Sequence, residues 1–262
     1  MGTNRSYYIG LKPIQFITLR FHSFISALAL ILLSAPLAMG EVAILDTVTT
    51  VGTPVKLTVQ TRGRLFSQGG QRVALYRDDH PIARILTGGD GYGYFTCRFN
   101  TAGFKTIEAY SGRDRGSGTV LVMTREEKAV IVELEGFIAD AFRANRLAPG
   151  SREAMETLSE HHRLLYLTRS LWAPVSRGWL KSMRMPESVL LRWRGSATLQ
   201  NLIEKGVCVH AAIGTSRFLS EVADLVDHKV SFEPTDSGHT VKNWDELVER
   251  LIPPVTDRPH SK

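Results

Sequence analysis

A β-sandwich followed by an α/β doubly wound parallel sheet is the fold class that the sequence predicts, on three observations. Before residue 124 the chain is a series of short β-branched and aromatic runs separated by glycine-bearing turns. Beyond residue 125, apolar strand-like runs alternate with amphipathic segments of about ten residues. The first forty residues fit neither pattern and read as a targeting segment.

That segment carries Arg5, Lys12 and Arg20 and no acid, then the apolar run FISALALILL from Phe24 to Leu33, then SAPLAMG with the small residues Ala38 and Gly40. Cleavage before Glu41 is expected, with an uncleaved N-terminal anchor as the alternative. Export to a periplasmic or extracellular location follows, or membrane anchoring if the segment stays. Of the 32 Lys and Arg, 29 remain after residue 40, against 26 Asp and Glu, a net of +3. This is too little to point to nucleic acid. A 43% hydrophobic share over 262 residues implies a folded core. Cys97 and Cys208 are too few for a disulfide framework and are expected as small, unbridged core residues.

From residue 41 to 124 the expected strands are 55–59 (VKLTV), 71–78, 82–87, 92–99, 104–110 and 119–124. Gly69-Gly70, Asp90-Gly91 and Ser111-Gly112 lie between them, where turns require positive φ. About seven antiparallel strands are expected. The stretch from VALYRDDHPIARILTGGDGYGYF to FKTIEAYSG resembles bacterial immunoglobulin-like modules. Such modules serve as spacers, adhesion units or carbohydrate binders, so the resemblance implies a fold and no particular site.

From 125 to 255 the order is strand AVIVEL (129–134), helix SREAMETLSEHH with Ser151 as a possible cap, strand RLLYLTR, helix VSRGWLKSM and strand SVLLRW. Helix ATLQNLIEK, strand VCVHAAIGT, helix FLSEVADLVDH, strand KVSFEP and helix NWDELVERLI follow, and 256–262 is expected as a flexible tail. In a parallel sheet of this kind a ligand site lies at the carboxyl ends of the strands. Glu133, Thr168 and Gly214 stand there.

These positions carry a second resemblance. VELEGFIAD resembles the D-x-D-G-T motif of the haloacid dehalogenase (HAD) superfamily, LLYLTR its phosphate-binding threonine motif, and AIGTSRFLSEVADL its fourth motif. YLTRSLWAPVSRGWLKSMRMPESVLLRW is similar to the lipin-type branch, shared by phosphatidate phosphatases and lipid-transfer proteins. The resemblance implies a nucleophile position at Glu133, an acid position at Glu135, phosphate binding by Thr168 and Arg169, and a metal position at Glu133 with Glu221. Only Thr168 keeps the family pattern. Glutamates replace both aspartates, Phe137 replaces the usual threonine, and no lysine opens the helix at 197. Lys205 lies near its far end, and Thr215, Ser216, Leu219 and Ser220 stand where an acid is expected. A shift of about 1 Å at a reacting group can cost 100-fold, and loss of charge compensation costs more. The implied function is therefore a catalytically degenerate phosphatase that binds a phosphorylated ligand, an acidic lipid or a protein, without a cofactor. The alternative is an active Mg²⁺-dependent phosphohydrolase using Glu133.

Between residues 163 and 194 stand Arg163, Arg169, Arg177, Lys181, Arg184, Arg192 and Arg194 against Glu187 alone. This run is either a solvated face or an anion-binding rim, with Arg177, Lys181, Arg192 and Arg194 as its members. Trp172, Trp179 and Trp193 interleave with it and are expected in the core. His161-His162 reads as an exposed helix end, His210 and His239 lack partners at metal-ligand spacing, and Asp78-Asp79-His80 reads as a polar hairpin. Ser216 lacks the second glycine of a nucleophile elbow.

Overall fold

A computed structural model describes residues 41–63, 66–135, 147–169 and 173–252. The expected targeting segment, Phe137, Trp172 and the tail 256–262 lie outside the described residues. The first half contains β1 (Glu41–Ile44), β2 (Thr47–Thr50), β3 (Val55–Arg62), β4 (Arg72–Arg77), β5 (His80–Leu86), β6 (Tyr92–Cys97), β7 (Gly103–Ser111) and β8 (Asp114–Met123). They form a three-stranded sheet, β1-β3-β6, and a five-stranded sheet, β2-β8-β7-β4-β5. Between the sheets lie Val42, Ile44, Leu57, Val59, Leu75, Ile107, Val120 and Val122, all buried. Alternation explains the burial: in β3, Val55, Leu57 and Val59 point inward while Lys56 is exposed.

The second half contains β9 (Lys128–Glu133), α1 (Ser151–His161), β10 (Arg163–Thr168), α2 (Ala173–Ser182), β11 (Val189–Arg192) and α3 (Ala197–Glu204). Then come β12 (Cys208–Ile213), α4 (Ser216–Glu221), β13 (His228–Ser231), β14 (His239–Thr240) and α5 (Trp244–Leu251). The strands form one six-stranded sheet in the order β11-β10-β9-β12-β13-β14, and every neighbouring pair is parallel. The continuous apolar run in β9 reflects burial on both faces. Val130 and Val132 meet α1, α2 and α5 on one side, while Ala129 and Ile131 belong to a second cluster with Leu199, Leu202, Phe218 and Leu219 on the other.

That second cluster also takes in Val48, Leu121 and Met123 from β2 and β8. The sandwich thus supplies part of the layer that helices were expected to supply. Asp46, in the turn between β1 and β2, joins the two halves. Its carboxylate accepts from Thr119 N at 2.7 Å and Leu190 N at 2.9 Å, and it pairs with Arg177 at 2.7 Å. Thr50 Oγ1 donates to the carbonyl of Lys205 at 2.6 Å.

The expected fold class is corrected accordingly. Among the described residues the chain has fourteen strands and five helices, and a self-contained doubly wound α/β core of the HAD kind is not supported. The sandwich itself is not wholly antiparallel, because β2 runs parallel to β8. Ser151 is the first helical residue and not the cap. Gly150 occupies the cap position at φ 80°, and Ser151 Oγ donates to Ala148 O. Cys97 is half-buried and Cys208 is exposed, so Cys208 is not a core residue; neither is bridged.

The shared core yields a prediction. Val48, Leu121 and Met123 are fully buried, and burying side chains of this size contributes roughly 1.5–3 kcal/mol each. A fragment of residues 125–252 is expected to melt well below the whole chain in circular-dichroism scans. Equal melting temperatures would show that its core is self-sufficient.

Candidate functional site

At the carboxyl end of the parallel sheet β9 finishes at Glu133, β10 at Thr168, and β12 leads through Gly214-Thr215 into α4. Three carboxylates meet there around the Arg169 guanidinium, with Arg217 joining from α4. Glu133 is 2% exposed. One of its oxygens accepts from Thr215 N at 2.9 Å and Thr215 Oγ1 at 2.6 Å, and the other accepts from Arg169 Nε at 2.8 Å. Thr215 also caps α4, accepting from Phe218 N at 3.2 Å. Gly214 is required by close approach, because a Cβ there would lie 2.8 Å from Glu133 Oε2 and 2.6 Å from the Phe218 ring.

Glu135 is held by the neighbouring strand end. Its Oε1 accepts from Thr168 Oγ1 at 2.6 Å and Arg169 N at 2.7 Å. The Arg169 side chain continues across the site. Its Nη2 reaches Glu221 Oε2 at 3.0 Å, and the guanidinium stands 5.5 Å from the centre of the Trp193 ring. Glu221 accepts in addition from Trp193 Nε1 at 2.9 Å and Arg217 Nε at 3.2 Å.

The electrostatics follow from this geometry. Partial burial opposes the Arg169 charge, but hydrogen bonds and ion pairs to Glu133 and Glu221 outweigh it and raise its pKa above the ordinary value. Burial likewise pushes the Glu221 carboxyl up. The hydrogen bonds from Arg169 and Trp193, and the Arg169 charge, outweigh it and hold the group below the usual carboxylate range.

The expected site residues Glu133, Glu135, Thr168, Arg169 and Glu221 are therefore brought together. The expected rim is not one unit. Arg177 reaches back to the buried Asp46, whereas Lys181, Arg192 and Arg194 are exposed. Trp179 and Trp193 are buried. His210 stacks with His162, and His162 is half-buried while His161 is exposed. Sequence reasoning missed Asp46 altogether, and it missed that Trp193 would donate to Glu221. No periodic signal marks either role.

Mg²⁺ does not fit this site. The Arg169 guanidinium lies between Glu133 and Glu221, where a divalent cation would need open carboxylate oxygens. Among the described residues no group of three or more His, Cys, Asp or Glu is placed to hold a metal ion.

No protein-family model matches the chain, and no curated protein matches it. Solved structures match over about a third of its length. A polysaccharide lyase is 14% identical over 32% of this chain and 12% of its own, with a TM-score of 0.25. A putative membrane-anchored protein from Corynebacterium diphtheriae is 18% identical over 32% of this chain and 21% of its own, with a TM-score of 0.27. The D00-D0 domain of intimin is 11% identical over 32% and 48%, also at 0.27. The chain spans less than half the length of each. The matched structures are immunoglobulin-like, adhesin, S-layer and lyase β-domains, and no HAD protein is among those found. The resemblance to the HAD superfamily, its lipin-like branch and the pseudophosphatase reading built on it are withdrawn. What stands is a β-rich chain whose first half packs a three-stranded sheet against a five-stranded one.

Proposed function

We propose that this chain is a non-catalytic exported or surface protein that serves as a binding module. The observation that supports it best is the engagement of Arg169 with Glu133 and Glu221, while Glu135 takes the Thr168 hydroxyl and the Arg169 amide. Carboxylates in these pairs are poorly placed to act as a nucleophile or a metal ligand, because exposing them breaks charge-assisted hydrogen bonds. Their role is to lock β9, β10 and α4 together. Binding then falls to the exposed surface, where Lys181, Arg192 and Arg194 favour an anionic partner such as a phosphorylated ligand, an acidic lipid head group or an acidic protein face. Export rests on the acid-free leader-like residues 1–40. Among the described residues no helix is long and apolar enough to cross a membrane.

The test is a hydrolysis series with p-nitrophenyl phosphate and phosphatidate across Mg²⁺ concentration, comparing wild type with Glu133→Gln. Turnover is expected to be independent of both Mg²⁺ and Glu133. Robust wild-type hydrolysis lost in Glu133→Gln would overturn the reading and leave Glu133 as a working nucleophile.

A further inference from the structure

Near the amino ends of the parallel strands, opposite the carboxylate cluster, three imidazoles form a row. His162 leads into β10, His210 lies in β12 and His228 opens β13. The rings of His162 and His210 are stacked, with centroids 4.9 Å apart and an interplanar angle of 29°. Those of His210 and His228 are 4.7 Å apart and tilted by 52°. The register of β12 against β9 shifts between Val209 and Ala211, so His210 sits at a bulge. Bulges re-aim side chains, and here the result is an imidazole between two others. The row meets α5 at its end. His162 Nε2 lies 3.3 Å from the carbonyl of Leu251, the last helical residue.

The groups facing the row make it sensitive to protons. Lys128 of β9 and His161 of α1 face His162; Lys128, His162 and His228 face His210. All of these are cationic when protonated, and no carboxylate is among them. Burial above all, then the neighbouring His162, His228 and Lys128, bring the His210 pKa down to about 4, partly offset by the Leu251 carbonyl. Burial lowers that of His162 as well. His162 Nδ1 is buried and has no hydrogen-bond partner among the described residues.

We propose that the His162–His210–His228 row is a pH-responsive latch, which holds α5 against the sheet while His162 and His210 are neutral and releases it when they are protonated. Helix α5 docks through Trp244, Leu247 and Leu251, with Trp244 packed 4.3 Å from Phe232. Helix α5 lies outside the strand pairs, so its release breaks none of them. The sign follows from linkage. Released, His162 and His210 bind protons near ~6.5, above the pH at which they do when held. Docking is therefore fully stabilised above that value and weakens as pH falls toward the held pKa.

The experiment is hydrogen-exchange mass spectrometry on the full chain at pH 7.5 and 5.5, corrected for the intrinsic chemical rate and read at the amides of 245–252. The opening of α5 in wild type is expected to rise by several-fold, up to about tenfold, on acidification. His210→Phe, which keeps a stacked ring without a titrating group, is expected to remove most of that rise. An equal rise in His210→Phe, or none in wild type, would overturn the latch. Should the variant fail to fold, ring titration in the wild type by nuclear magnetic resonance decides. A His210 midpoint that tracks the loss of α5 protection supports the latch, and titration of the rings with α5 protection unchanged overturns it.

Discussion

Asp46→Ala is expected to destabilise the protein by ~2–6 kcal/mol, about 1–3 kcal/mol for each of two backbone N–H groups left without an acceptor. The Asp46 side chain is 1% exposed and takes hydrogen bonds from Thr119 of β8 and Leu190 of β11, together with the ion pair to Arg177 of α2. Removing it leaves two backbone N–H groups without their acceptor, and an unpaired buried group of this kind costs about 1–3 kcal/mol. The Arg177 side chain, by contrast, is 45% exposed and can return to water. Arg177→Ala in turn leaves the Asp46 carboxylate, 1% exposed, with its backbone donors but without its cation, and should also cost ~3–5 kcal/mol. Asp46→Asn should cost less than Asp46→Ala, because its amide keeps one acceptor while turning a donor toward a donor. Urea unfolding followed by tryptophan fluorescence measures all three. If Asp46→Ala costs less than ~1 kcal/mol, below the penalty for even one unpaired buried N–H, the hub role is wrong and the halves are held by apolar packing alone.

Particular residues show how far the chain could be read in advance. Strands β3 to β13 were legible because alternation or unbroken apolar runs leave a mark in the sequence itself. Strands β1 and β2 were not. Each is only four residues long, and β2 pairs with β8 some seventy residues away, so nothing local announces it. The expected helix at 218–228 is cut to Ser216–Glu221. The Lys229 ammonium reaches the carbonyls of Ala223 and Val226 at 2.8 and 2.6 Å, satisfying them outside a helical ladder. At the site, the acids and Thr168 were legible as polar residues ending apolar strands. The compensating cation was not. It was sought at the start of the helix at 197, but it comes from Arg169, one residue after Thr168, and spacing does not reveal which way that side chain turns. The resemblance to phosphatase motifs failed for the same reason: strand-end polar residues can be placed by pattern, while their mutual pairing is a tertiary fact.

That pairing underlies the second large effect. Arg169→Met is expected to destabilise the chain by ~3–5 kcal/mol at pH 7.5, since it leaves Glu133 buried without its cation and Glu221 with one partner fewer. Loss of contact area alone would produce a smaller, charge-independent effect, so two controls separate the causes. In the double variant Arg169→Met with Glu133→Gln, the buried charge is gone along with its partner, and the cost should be smaller than the sum of the two single changes by roughly 1–3 kcal/mol. The pH dependence gives the second control. In wild type the lowered Glu221 pKa contributes stability above the ordinary carboxylate value, and this is lost as pH falls through the folded value. In Arg169→Met the uncompensated carboxylates repel and favour protonation, so that variant gains relative stability as pH falls. The gap between the two proteins should therefore narrow as pH falls from 7.5 through the ordinary carboxylate value of ~4.3 in urea unfolding. Both carry the same histidine row, so acid effects from that region cancel in the difference. A gap that stays constant or widens would mean that Arg169 acts by packing on Trp193, and the carboxylate cluster would then need another source of compensation.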